Sequence, residues 1–170
     1  MSRHFSEIIV FPSSLQVDCS GVPARFYCRN IHESRESAPR ASFCDDMAFY
    51  LADTIRPANP IQKEGHFFRT DCESGSRFDI PVDNRDLSIE GSHFNDPGGF
   101  FAAIEPFEIV NTDRLHVAIA AALLGRQVHL YPGAYFKNRA VFRSTLEENY
   151  PNVRFHEEPF CALTCTRYAV

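Results

Sequence analysis

The stretch Phe107–Arg139, FEIVNTDRLHVAIAAALLGRQVHLYPGAYFKNR, decides the fold of this chain. Its first five residues, Phe107–Asn111, are mostly apolar and β-branched, which predicts a buried strand. The almost wholly apolar run from Leu115 to Leu124 predicts a buried helix that ends at Gly125. Gln127–Tyr131 predicts the next strand, so the stretch forms one strand–helix–strand crossover.

The charged residues of this helix are confined to its start. Thr112 offers a side-chain oxygen at the N-cap position, and Asp113 places a negative charge in the first turn. Arg114 and His116 follow, at the edge of the sheet where open α/β folds bind ligands. With the free N–H groups of the helix start, they predict a small anion site. The alternative is that Arg114 pairs with a carboxylate and that His116 caps a loop.

Strand and helix patterns alternate along the rest of the chain. This alternation predicts an α/β domain, a Rossmann-like, mostly parallel sheet with helices on both faces, spanning residues 1–170 as a single domain. A short helix or loop is expected over residues 30–40, and Arg69 lies at the end of a strand, near the ligand edge. The further predicted strands are Glu7–Phe11, Ala24–Arg29, Ala41–Cys44, Gly65–Thr70 and Val153–His156, and the further helices are Met47–Ile55, Phe100–Glu105 and Ala134–Tyr150.

Composition excludes several classes of function. The net charge of −5 argues against a general nucleic-acid surface. No window reaches the ~18 apolar residues of a membrane span, and no signal peptide is apparent, so a soluble, cytoplasmic protein is expected. The glycine-rich fingerprints of nicotinamide and P-loop nucleotide sites are missing. The six cysteines have irregular spacing, which favours reduced thiols over a zinc site.

Asp45 and Asp46 are adjacent acids after a short predicted strand. Two carboxylates at a sheet edge suggest a metal site, but neighbours in an extended chain point apart. An N-cap role for the following helix accounts for one of them. We therefore expect no bound metal here.

Four segments share a pattern with a known family: FCDDMAF at 43–49, FRTDCES at 68–74, TDRLH at 112–116 and GAYFKNR at 133–139. Together they resemble the polysaccharide pyruvyl transferase family, in which a similar T-D-R-L-H helix start precedes an S-Y-x-K-N-type segment. The likeness runs across most of Ile8–Leu146.

The resemblance implies the C-terminal, Rossmann-like half of a GT-B-type transferase, facing a second half across a cleft. It implies transfer of pyruvyl from phosphoenolpyruvate to a sugar, in exopolysaccharide or cell-surface glycan biosynthesis, without a cofactor. A partner chain that supplies the N-terminal half, or a homodimer, would complete the cleft. The resemblance gives catalytic roles to Arg114 and His116, and the candidate substrate-binding residues are Arg29, Arg69, Thr112, Arg114, His116, Lys137 and Asn138.

Two functional alternatives stay open from the sequence. One is a GT-B-like glycosyltransferase whose nucleotide-sugar diphosphate contacts Arg114 and Lys137. The other is a non-catalytic relative that binds a glycan or a partner protein. The role of His116 is also open, because an imidazole can donate a proton near neutral pH or simply bind phosphate.

Overall fold

The strands of this chain form two parallel sheets. The computed structural model describes residues 7–71, 74, 80–90 and 96–161. Three strands form one sheet in the order β1-β2-β3, and four form the other in the order β4-β5-β6-β7. The predicted Rossmann-like α/β fold with parallel strands is confirmed, although the strands divide between two sheets. The strands are β1 Ile9–Ser13, β2 Arg25–Cys28, β3 Ser42–Phe43, β4 Gln62–Phe67, β5 Phe107–Thr112, β6 Gln127–Leu130 and β7 Val153–Phe155.

Helices connect most of these strands. The crossover that the sequence predicts is present between β5 and β6, and Gly125 adopts a positive φ of 70° just beyond its helix. The described helices are α1 Ile31–Ser37, the 3-10 helix Met47–Thr54, α2 Gly98–Ile104, α3 Leu115–Leu123, α4 Lys137–Val141, the π-helical turn Phe142–Leu146 and α5 Glu147–Asn149.

The main core lies between α3 and the four-stranded sheet. Ile119 of α3, Val110 of β5 and Val128 of β6 are all at most 1% exposed and belong to one apolar cluster. α3 is buried on nearly every side, because α2, α4 and the 3-10 helix also contact it. The helix start is therefore held rigidly at the carboxyl end of β5.

Polar contacts tie the two sheets together. The Thr145 hydroxyl donates to Asp45, at 2.7 Å, and the backbone N–H of Ile31 donates to the Ser144 hydroxyl, at 3.0 Å. Both hydroxyls belong to the π-helical turn, whereas α1 and Asp45 belong to the first three strands and their connections. The π-helical turn thus has a structural role at the junction between the sheets.

Two strand predictions are wrong in their bounds. β1 runs to Ser13, although Pro12 was expected to close it, because a proline without an N–H is tolerated on an edge strand. β4 begins at Gln62 and ends at Phe67, three residues earlier than predicted. Its polar first half looks like a loop in sequence, but an edge strand can expose polar side chains. Arg69 therefore lies in the loop after β4 rather than on the strand.

Two helix predictions also need correction. α3 begins at Leu115 with Arg114 at its N-cap, so Thr112 ends β5 and Asp113 lies before the helix rather than in its first turn. The helix expected over Ala134–Tyr150 begins only at Lys137 and contains the π-helical turn. Ser144 and Thr145 in that turn form hydrogen bonds to α1 and to Asp45, which follows β3 of the other sheet. No local sequence signal predicted the turn.

Some predictions fall outside the described residues, among them those for Cys72, Glu73, Cys165 and most of the C-terminal tail. Cys19 and Cys28 are buried free thiols, as expected. No described helix is both long and apolar enough to cross a membrane.

Candidate functional site

A cavity of about 470 Å³ opens at the carboxyl ends of β4, β5 and β6. Its wall is built by the loop after β4, by the start of α3 and by the start of α4. Four of the predicted site residues contribute basic groups to this wall: Arg69, Arg114, His116 and Lys137. The crossover connections bring these side chains together because parallel strands all end at the same edge of the sheet.

Arg114 forms an ion pair at the wall of this cavity. Its guanidinium lies 2.6 Å from Asp86 Oδ1 and donates to the Ser88 hydroxyl at 2.5 Å. The side chain is 14% exposed, and Nε is buried with no hydrogen-bond partner among the described residues. The alternative that Arg114 pairs with a carboxylate is thus observed, with Arg114 lining the cavity and Asp86 buried behind it.

Asp86 and Ser88 are site residues that the sequence interpretation missed. Asp86 accepts hydrogen bonds from the backbone N–H groups of Thr70 and Ser88 and from both of their hydroxyls. Burial by itself raises the pKa of Asp86, but these bonds outweigh it and hold the pKa at about 2. The D-x-S spacing at 86–88 is typical of an Asx turn and was the available signal.

Arg69 is held by a second carboxylate. Its guanidinium forms a bidentate pair with Asp71, at 2.8 and 2.7 Å, and its backbone N–H donates to Asp113 at 2.8 Å. Asp113 is 2% exposed, and burial raises its pKa despite the nearby Arg69 and Arg114. Asp113 therefore connects the loops after β4 and β5, and the residue also lines the cavity.

Two of the predicted substrate-binding residues hold the loops around the cavity in place through hydrogen bonds. Thr112 is fully buried, donates to the carbonyl of Phe67 at 2.7 Å and accepts the Arg114 N–H at 2.9 Å. Asn138 donates from Nδ2 to the carbonyls of Asp113 and Tyr131, at 2.6 and 3.0 Å. In this conformation Thr112 fixes the entry into α3 rather than facing a ligand. Asn138 fixes α4 against the same loop.

His116 and Arg29 meet at Asp46. The Nε2 atom of His116 lies 3.6 Å from Asp46 Oδ2, and the Arg29 guanidinium binds the same oxygen. Asp46 Oδ1 accepts the N–H of Ala48, so the predicted N-cap role is confirmed. Burial by itself raises the pKa of Asp46, but the contact with His116 and the hydrogen bonds from Ala48 and Arg29 lower the pKa below its usual value.

Comparison with known proteins identifies the fold without naming a function. No family model and no curated protein matches this chain. A solved structure of a functionally uncharacterized protein from Klebsiella pneumoniae subsp. pneumoniae NTUH-K2044 is 28% identical, with a TM-score of 0.69. The match covers 89% of this chain and 64% of that protein, so the chain spans just under two thirds of its length. The likeness supports a Rossmann-like α/β fold shared with that protein.

Proposed function

We propose that this chain is a domain of a pyruvyl transferase-like enzyme, which binds phosphoenolpyruvate in the cavity and transfers its pyruvyl group to a sugar. The observation that carries the proposal is the cavity wall, where Arg69, Arg114, His116 and Lys137 surround one space. Phosphoenolpyruvate carries a carboxylate and a phosphate, both of which suit arginine and lysine. The resemblance of the TDRLH and GAYFKNR segments to the family supports the same donor.

The ion pair with Asp86 fits this proposal as a support for Arg114. A guanidinium has five N–H donors, and Asp86 and Ser88 together engage one nitrogen of it. Asp86 fixes the orientation of the guanidinium plane before the substrate arrives, which lowers the entropy cost of binding. Phosphoenolpyruvate would accept hydrogen bonds from the remaining N–H groups of the Arg114 guanidinium at the cavity wall.

Ketal formation requires defined proton movements. The methylene carbon of phosphoenolpyruvate gains a proton, one sugar hydroxyl adds to the neighbouring carbon, the carbon–oxygen bond to phosphate breaks, and a second hydroxyl closes the ketal. Of the two hydroxyl protons, one ends on the methyl group and the other on phosphate. His116 is a group at the cavity that can move such a proton near neutral pH.

The proposal includes a second protein wall. The chain spans 64% of the length of its structural neighbour, and a transferase must also place the acceptor and exclude water. We infer that a further protein unit or a second copy supplies that wall, and that these residues alone turn over slowly. A cytoplasmic location is part of the proposal, because phosphoenolpyruvate is a cytoplasmic metabolite.

Calorimetric titration of phosphoenolpyruvate into the purified chain tests this function. Arg114→Lys should weaken binding about tenfold, because an ammonium keeps the charge but loses the planar fork. His116→Asn should spare binding if His116 acts only in proton transfer. Arg85→Lys is the matched control, since the Arg85 guanidinium pairs with Glu90 at the surface. That control should bind like the wild type.

Other outcomes identify the alternatives. Equal binding by the wild type and Arg114→Lys would reduce Arg114 to the structural partner of Asp86. Binding of a nucleotide sugar without any binding of phosphoenolpyruvate would indicate the glycosyltransferase alternative. A flat response to both ligands would favour a non-catalytic relative.

A further inference from the structure

His116 and Asp46 come from different sheets but meet at one point. His116 belongs to the first turn of α3, which packs on the four-stranded sheet. Asp46 follows β3 of the three-stranded sheet and caps the 3-10 helix. The two side chains differ in exposure, since His116 is 58% exposed and Asp46 only 7%. An exposed imidazole beside a buried carboxylate is the arrangement in which the carboxylate can orient the ring.

Asp46 is itself held in place. Its Oδ1 accepts the Ala48 N–H at 3.1 Å, and its Oδ2 accepts from the Arg29 guanidinium. Arg29 in turn donates from Nε to the Ser14 hydroxyl at 3.2 Å. These contacts give the carboxylate little freedom to rotate. Of the two side chains, His116 is therefore the one that is free to reorient, because it is the more exposed.

We propose that Asp46 is the positioning residue for His116, fixing the direction of the imidazole ring for proton transfer. This inference rests on the proposed function, in which His116 moves a proton at the cavity. The separation of 3.6 Å is slightly longer than a hydrogen bond, and the exposed ring has the freedom to shorten it. With Nε2 engaged by Asp46, Nδ1 is the nitrogen that serves the substrate.

Other charged groups surround His116. Arg69, Arg114 and Lys137 line the same cavity, as does the buried Asp113. Arg29 binds the same oxygen of Asp46 that lies beside His116 and offsets part of its negative charge. Among the described residues, Asp46 is thus the carboxylate in direct contact with the ring and the one placed to hold its direction.

The competing explanation is that Asp46 serves only as a helix cap. Asparagine is as good an N-cap residue as aspartate, so Asp46→Asn keeps the cap and removes the charge. Asp45→Asn is the matched control, because it removes a neighbouring carboxylate that accepts from Thr145 instead. Asp46→Asn removes the negative charge beside His116. Asp45→Asn removes a negative charge from the same junction but not from beside His116, so only an effect of the charge at His116 should differ between the two variants.

NMR relaxation of the His116 ring carbons tests the proposal, with the signals assigned by their absence from His116→Gln. In Asp46→Asn the ring should become more mobile, because it loses the charged partner that fixes its direction. In Asp45→Asn the ring should keep its wild-type mobility. Unchanged ring mobility in folded Asp46→Asn would overturn the proposal. If that variant does not fold, the wild-type ring should still be as ordered as the backbone of α3, and a freely mobile wild-type ring would count against the contact.

Turnover and binding separate this inference from the proposed function. Asp46→Asn should lower kcat about 10- to 100-fold with little change in KM, and Asp45→Asn should change neither. A more mobile His116 ring in Asp46→Asn, without phosphoenolpyruvate binding to the wild type, would leave the positioning contact standing and refute the proposed function. Phosphoenolpyruvate binding with unchanged ring mobility in Asp46→Asn would refute the positioning contact and leave the proposed function standing.

Discussion

Gly65 is a position in β4 where close packing requires a glycine. A Cβ atom at this position would lie 2.7 Å from the Phe107 ring and 2.9 Å from the Phe67 ring. Both rings belong to the main apolar cluster or pack against it, and they meet edge-on with centroids 5.5 Å apart. Only a residue without a side chain lets β4 and β5 pair while the two rings pack.

We predict that Gly65→Ala destabilises the protein by about 1–3 kcal/mol, the usual cost of overpacking a core. Urea denaturation followed by circular dichroism measures the change. Gly99→Ala is the control, since a Cβ there meets nothing within 4 Å and the position lies in α2. That substitution should be neutral or stabilising by up to about 1 kcal/mol. Equal effects of the two substitutions would show that the close approach at Gly65 is not limiting.

Among the described elements, α3 contributes the most residues to the main core. Seven of its nine residues are buried, and it contacts strands β5 and β6 together with the surrounding helices. Its first turn is also the only part that reaches the cavity, through Leu115, His116 and Val117. Stability and site geometry are therefore coupled through this one helix.

Ile119 provides the test of this element. Ile119→Ala should cost about 2–5 kcal/mol and Ile119→Val about 0.5–1.5 kcal/mol, because the fully buried side chain leaves a cavity that grows with the atoms removed. Ile119→Asp should prevent folding, since it buries an unpaired carboxylate. The measurements are urea unfolding for the first two and soluble expression for the third. Soluble, cooperatively folding Ile119→Asp protein would refute the central place of α3.

At the scale of the whole molecule, a histidine pair sets the response to acid. The Nδ1 atom of His129 and the Nε2 atom of His156 are 2.7 Å apart, and His156 stacks on Tyr131 with ring centroids at 4.5 Å. Burial lowers the pKa of His129, helped by Arg154. Burial also lowers the pKa of His156 to about 4, helped by His129 and Arg154. The folded protein therefore binds fewer protons at these rings than the unfolded chain does.

The lowered pKa values of these two histidines make the protein less stable in acid. Between about pH 4 and pH 6.5 the unfolded chain takes up protons at both histidines while the folded protein resists them, so stability falls as the pH is lowered through this window. The raised pKa of Asp113 acts in the opposite direction, but only near and above pH 3.8. The lowered pKa values of Asp46 and Asp86 matter only below about pH 4.

We predict that the melting temperature drops between pH 7.5 and pH 5, and that the drop is smaller by roughly 2–4 °C in the double variant His129→Gln/His156→Gln. Differential scanning calorimetry at the two pH values measures it. His32→Gln, on the exposed side of α1, is the control and should follow the wild type. The same pH dependence in the double variant and the wild type would rule out the pair as the source.

Much of the molecule can be predicted from local sequence. The buried pattern of Leu115–Leu124, the stop at Gly125 and the flanking β-branched runs predict the β5–α3–β6 crossover without further information. Crossover geometry then places Arg114 and His116 at the sheet edge. These features are readable because periodicity and capping act over a few residues. The division into two sheets and the start of β4 are different, since both depend on pairing between distant strands.

The contacts of the site were decided only by the tertiary structure. Asp86 reaches Arg114 across 28 positions and Asp46 reaches His116 across 70, so no local pattern relates them. Arginine at a helix start can pair with any nearby carboxylate, and the sequence alone leaves that choice open. The chain fold makes the choice, because packing of α3 against both the loop after β4 and the 3-10 helix fixes which carboxylates come within reach. The sequence by itself thus determined which charged residues stand at the edge of the sheet, and the packing determined which carboxylate each basic residue pairs with.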